Sequence, residues 1–183
     1  MTGLLVLAAA GNYVAPSSGL IGWEREDTPV VEAAGKLPAG SLVAGWPDTL
    51  DMVPYFTGIP VLINRETHLP YHKRYAEEMR GRFRAVIKAM YSTEAGPVRD
   101  LRQRYGVTHM LVDSSRFDRP PRCYEPFGQE IGDAFNRTRG QMKYLQSVCK
   151  SLKPLGETKS AYLIDLTEID ARTATDPAGR ATD

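Results

Sequence analysis

The longest periodic pattern in the chain runs from Asn64 to Tyr91. Apolar or aromatic residues fall at Tyr75, Met79, Phe83, Val86, Ile87, Met90 and Tyr91. Their spacings of three and four align them on one face of a helix. Lys73, Arg74, Arg80, Arg82, Arg84 and Lys88 populate the remaining surface. Ahead of this helix, Pro60-Val61-Leu62-Ile63 is continuously apolar, and Val61 to Asn64 reads as a strand. A polar elbow, Asn64-Arg65-Glu66-Thr67-His68, joins strand to helix. Pro70 has no N–H to lose and suits the first helical position.

The same reading extends in both directions. Thr28-Pro29 opens a short helix carrying Val30, Val31, Ala33 and Ala34, which stops at Gly35. Ser41 to Trp46 is apolar almost throughout and reads as a strand buried on both faces. Asp48 caps the next short helix and Asp51 favours its first turn, with Tyr55 and Phe56 packing behind. A helix starting at Pro97 turns Val98, Leu101 and Tyr105 inward and Arg99, Arg102 and Arg104 outward, and Gly106 supplies a left-handed stop. Val107 to Asp113 is the third strand, and Ser114 to Gln129 is irregular. A following helix carries Ile131, Ala134, Phe135, Met142, Leu145, Val148, Cys149 and Leu152 on one side and is weakened at Gly140. Ala161 to Leu166 is the last strand.

Strands alternating with helices predict an α/β fold. The expected form is a small, mainly parallel three-layer sheet of about four strands with helices on both faces, Rossmann-like. The final strand is allowed to run antiparallel at an edge. Three parts follow: an apolar N-terminal segment and connector at 1–27, a single α/β domain at 28–166, and a mobile polar tail at 167–183.

Composition changes this picture little. The 183 residues are 42% apolar and 25% charged with a formal net charge of +1, as in an ordinary globular protein. No general argument for nucleic acid follows. The basic bias is local, from Lys73 to Arg104, and Tyr75, Phe83, Tyr91 and Tyr105 lie on the inward stripes. A solvated basic face therefore ranks first, a face resting on anionic lipid headgroups second, and nucleic acid last. Of the two cysteines, Cys149 falls on an apolar helix face, which favours a buried free thiol over a disulfide with Cys123. The run Leu4 to Ala10 is far shorter than the roughly 20 residues that span a bilayer. It resembles a signal-peptide core, but no Lys or Arg precedes it. The outer end of a transmembrane helix ranks slightly ahead.

Parallel strands bring their carboxyl ends to one rim, where ligands of open α/β sheets bind. The candidate binding residues there are Asp48, Arg65, Glu66, His68, His72 and Arg116, with Asp51 and Asp113 nearby. Asp48 reads as a cap before it reads as a catalyst. His68 and His72 are four apart, but Pro70 intervenes and no metalloprotease glutamate lies between them, so no metal site is read. His109 reads as a hydrogen-bonded core histidine. Phosphate-cradling glycine loops, Gly-x-Ser-x-Gly and Cys-x-x-Cys are absent, and no cofactor is expected.

Several stretches nevertheless form a familiar series. Leu37-Pro38, Trp46-Pro47-Asp48, Val53-Pro54-Tyr55-Phe56-Thr57-Gly58 and Glu66-Thr67-His68-Leu69-Pro70-Tyr71-His72 with Tyr75 come in order. Ala89-Met90-Tyr91-Ser92 and Tyr105-Gly106-Val107-Thr108-His109-Met110-Leu111-Val112-Asp113 complete it. Together they resemble the extracytoplasmic C-terminal region of multi-spanning bacterial membrane proteins of the GT-C glycosyltransferase type, similar in layout to dolichyl-phosphate-mannose and oligosaccharyl transferases. The likeness covers Thr28 to Phe117. In that family the catalytic acid lies in a loop between the first membrane helices, which nothing here matches, so no catalytic residue carries over.

The resemblance implies a non-catalytic domain at the extracytoplasmic membrane face. Its implied partners are a transmembrane transferase core, in the same or a neighbouring chain, and a lipid-linked sugar, an acceptor or anionic lipid headgroups. The alternatives are a self-standing, cytoplasmic α/β enzyme using rim Glu, Asp and His as acid and base, and a protein interaction module.

Overall fold

The computed structural model describes residues 28–65, 72–121 and 125–169. The apolar segment at 1–27, Glu66, His68, Pro70, Cys123 and all but the start of the expected tail lie outside these residues.

Seven α-helices and four strands follow in order among the described residues. They are α1 (Thr28–Gly35), β1 (Val43–Gly45), α2 (Pro47–Leu50), α3 (Met52–Thr57), α4 (Lys73–Tyr91) and α5 (Gly96–Tyr105). Then come β2 (His109–Asp113), a 3-10 turn (Ser114–Phe117), α6 (Gly128–Arg137), α7 (Tyr144–Ser151), β3 (Gly156–Glu157) and β4 (Ala161–Asp165). The sheet has the order β1-β2-β4-β3.

The α/β class and the number of strands match the expectation, but β3 takes the place of the strand expected at Val61 to Asn64, and the mainly parallel, Rossmann-like pairing is absent. Only β1 and β2 run parallel, with Val43 opposite His109. β4 is antiparallel to β2, and β3 is antiparallel to β4. The last long strand is thus antiparallel as allowed, yet it lies inside the sheet and not at its edge. Five residue pairs join it to β2, from His109–Asp165 to Asp113–Ala161. The two-residue β3 covers its other side.

The expected strand at Val61 to Asn64 reduces to one bridge, Val61 to Val43. Val43 N–H donates to the Pro60 carbonyl at 3.1 Å and Leu62 N–H to the Val43 carbonyl at 2.8 Å. Pro60 itself has no N–H to extend this pairing. Leu62 and Ile63 are buried all the same, so the apolar run reports burial and not strand length.

Alternation along the strands divides the core. Ala44, Met110, Val112 and Ile164 face the α4 stripe, Val98 and Leu101 of α5, Ile131 of α6, and Leu145 and Val148 of α7. Val43, Leu111, Ala161 and Leu163 face Val30 and Ala34 of α1, Leu50 of α2 and Val53 of α3. Three layers result. Gly45 makes the parallel pair possible, since a Cβ there would stand 2.6 Å from the Leu111 carbonyl oxygen.

The α4 stripe is buried as expected from Met79 to Tyr91, whereas Tyr75 stays exposed. Trp46 and Phe83 meet edge-on at 5.7 Å, Trp46 and Tyr91 at 6.1 Å, and Phe83 and Phe127 at 4.6 Å. Gly106 is left-handed (φ 71°) and closes α5 as expected. The single helix expected through Gly140 is two. Gly140 has φ 75°, and between α6 and α7 the buried Lys143 ammonium donates to the carbonyls of Thr138 and Gln141. Met142 falls in this break and is exposed. Tyr55 and Phe56 also differ from expectation: they stand 75% and 45% exposed and pack edge-on against each other at 5.0 Å. Ile169, beyond β4, is buried with the larger core.

Candidate functional site

The parallel pair ends at one rim, and Arg116 joins its two strands there. β1 leads through Trp46 into α2, where Pro47 takes the first position and Asp48 the first turn. Asp48 is therefore not the cap that the sequence suggests: Trp46 occupies that place and makes no side-chain cap hydrogen bond. Released from capping, the Asp48 carboxylate accepts from Thr49 N–H through Oδ1 (3.1 Å) and from Arg116 Nη2 through Oδ2 (2.7 Å).

β2 ends at Asp113, which does cap. Its Oδ1 accepts from the backbone N–H of Ser115 at 3.0 Å and from the Ser115 hydroxyl at 2.6 Å. Its Oδ2 accepts from Arg116 Nε at 3.1 Å. Every oxygen of both carboxylates is thus engaged within the protein. Behind the guanidinium, Tyr91 hydroxyl donates to the Arg116 carbonyl at 3.0 Å. Burial raises the Tyr91 pKa above the ordinary value of 10.0, with Asp113 adding to the rise and Arg116 opposing it. The phenol remains protonated, as a donor must.

The other expected site residues distribute as follows. Asp48 and Arg116, 68 residues apart, come together. Arg65 turns to Asp51, donating its N–H to Oδ1 at 2.8 Å with Nε 3.8 Å from Oδ2. His72 immediately precedes α4, exposed, on a shallow groove of about 660 Å³ lined also by Val61, Leu62, Tyr75, Met79 and Arg82. Arg82 spans that groove's edge, donating to Glu78 at 3.1 Å and to the Leu62 carbonyl at 3.4 Å. Glu66 and His68 lie outside the described residues. Among the described residues no group of three His, Cys, Asp or Glu side chains is placed to hold a metal ion.

His109 is the core histidine that the sequence suggests. It is buried, with Nδ1 2.8 Å from the Thr108 hydroxyl and Nε2 4.0 Å from Asp165. Desolvation lowers its pKa from 6.5, and Asp165 partly counters this. Cys149 carries a free thiol, whose pKa burial pushes up to about 11. Sequence reasoning missed Tyr91 as a rim residue. Its ring belongs to the core stripe, and nothing in helical spacing reveals that its hydroxyl reaches Arg116.

Fold and rim together define an α/β domain with a mixed four-stranded sheet and an Asp–Arg–Asp cluster at the end of its parallel pair. No protein-family model matches the chain, and no curated protein matches it. Among solved structures it is similar to the C-terminal globular domain of an oligosaccharyltransferase from Archaeoglobus fulgidus. The two share 15% identity at a TM-score of 0.49, over 78% of this chain and 97% of that one. Among the described residues no helix is long and apolar enough to cross a membrane.

Proposed function

We propose that the chain is a non-catalytic extracytoplasmic domain of a membrane glycosyltransferase-like protein, assisting the binding of a lipid-linked sugar or of the acceptor. The series of motifs from Thr28 to Phe117 supports the family setting. The observation that carries the non-catalytic part is the full engagement of Asp48 and Asp113. A general acid or base needs a carboxylate free to exchange a proton with its substrate. Here Arg116, Thr49 and Ser115 already bond to all four oxygens, although the oxygens keep lone pairs with which to accept from a hydroxyl. Two carboxylates around one guanidinium leave a net negative charge, which suits hydroxyl groups of a sugar or acceptor better than a phosphate. Arg65, paired with Asp51, and His72, on its own groove, are further candidate contacts of the substrate.

The test is sugar transfer in membranes of the source cells carrying Arg65→Ala and His72→Ala at the native locus. Transfer should fall, and unchanged transfer removes the binding role. The purified 183-residue chain should show no turnover of polyprenyl-phosphate-linked sugars. Turnover that Glu66→Gln abolishes would establish the enzyme reading instead.

A second reading, an interaction module, is favoured by the Tyr55–Phe56 pair, two adjoining aromatic side chains of which Tyr55 is mostly and Phe56 partly exposed. Aromatic residues of this kind serve as interface anchors. In that reading they bind a transferase core.

A further inference from the structure

A groove of about 560 Å³ lies between α4 and α5, within the size range of small-molecule sites. It shares no residue with the rim cluster or with the groove at His72. Gly81, Arg84, Ala85 and Lys88 line it from α4. They are spaced three and four apart, a second helical stripe separate from the core-facing one. Arg104 and Tyr105 face them from α5.

The cations are placed, not merely present. Arg104 stacks over the Tyr105 ring, 5.2 Å from its centroid. Arg84 is held by Glu130 through bonds of 2.9 to 3.1 Å and lies 5.9 Å from the centroid of the Phe127 ring. Such fixing lowers the entropy lost when an anion binds. Lys88 has no hydrogen-bond or ion-pair partner among the described residues. Glu130 offsets the charge of Arg84, and Asp100 on the α5 wall opposes an anion, so Lys88 and Arg104 supply the net attraction.

The floor carries the independent observation. Gly81 sits well inside the nineteen-residue α4, where glycine weakens a helix relative to alanine. The chain's own packing does not require it: a Cβ there would meet only the Tyr105 hydroxyl, at 3.9 Å. What glycine keeps is an open floor beneath the cations. We propose that this groove binds the phosphate of a phosphoester, with Lys88 and Arg104 as its principal contacts.

Two probes separate the sources of that phosphate: glycerol 1-phosphate in solution, and phosphatidylglycerol vesicles with phosphatidylcholine vesicles as control. Binding of the full chain to either supports the site, and which one binds identifies a soluble ester or a lipid headgroup. Lys88→Ala and Arg104→Ala should each weaken binding about tenfold, the loss of one charge-assisted hydrogen bond. Gly81→Leu should weaken it as much with all charges kept, because the side chain fills the floor. Asp100→Asn should tighten it. Arg99→Ala, an exposed cation outside the groove, is the control. The proposal is overturned if neither probe binds, if Gly81→Leu has no effect, or if Arg99→Ala weakens binding as much as Lys88→Ala. Unfolding curves for each variant establish that the protein compared is folded.

Discussion

Removing the Arg116 side chain should cost the domain about 2 kcal/mol. The guanidinium makes two charge-assisted hydrogen bonds, to Asp48 and Asp113, each worth about 1.5–3 kcal/mol when shielded from water. The side chains of Arg116, Asp48 and Asp113 keep 27%, 30% and 14% of their surface exposed. Screening by solvent therefore discounts the sum, about 3–6 kcal/mol, to about 2 kcal/mol. Arg116→Ala also leaves two carboxylates facing each other, which adds to the loss. Arg116→Lys keeps the charge but not the two-pointed geometry and should recover less than half.

Urea unfolding followed by far-ultraviolet circular dichroism measures this directly. A fall in Tm of about 5 °C should accompany the Arg116→Ala change. Combining Arg116→Ala with Asp48→Asn should reveal a coupling of about 1 kcal/mol between the two sites. A loss below about 0.5 kcal/mol for Arg116→Ala, the size of an ordinary surface substitution, would refute the reasoning. The cluster would then be a solvated ion pair with no part in joining β1 to β2.

Other consequences can be checked on the same protein. Gly45→Ala should destabilise it by about 2 kcal/mol or more, because the new Cβ meets the Leu111 backbone oxygen at 2.6 Å and not a yielding side chain; chemical denaturation reads the loss. His109 has its pKa lowered in the folded state, so the unfolded chain takes up the proton first. Its contribution to stability should be complete above pH 6.5 and be lost as pH falls through the lower, folded value. Tm measured from pH 7.5 downwards should show this, with a shallower fall in His109→Gln. Tyr55→Ser with Phe56→Ser should change stability by less than about 0.5 kcal/mol per site, while reducing capture of any partner that docks on that pair.

Legibility in the sequence followed the range of the forces involved. The α4 stripe from Met79 to Tyr91 and the stop at Gly106 are local, and spacing reveals them. Strand direction is not local. Nothing within Ala161 to Asp165 shows that it inserts beside β2, antiparallel, and not at an edge. A two-residue strand such as Gly156–Glu157 carries no periodicity at all. At Tyr55 and Phe56 apolar character was read as burial, which holds as a tendency only. At the rim, the rule that parallel strands share a carboxyl end brought Asp48 and Arg116 into one expectation across 68 residues. The same rule misjudged Asp48 as a cap, because the preference of aspartate for helix starts does not specify which turn position it fills.

The sheet order also has a temporal side. β4 is the last strand made among the described residues, yet it is the neighbour of β2 on one flank and of β3 on the other. Until residues 161–165 leave the ribosome, β2 presents an unpaired strand edge bearing Met110, Leu111 and Val112. Such an edge invites pairing with other chains. A chain cut just before Ala161 should therefore aggregate instead of forming a smaller domain. The sheet closes from its middle, and it closes late.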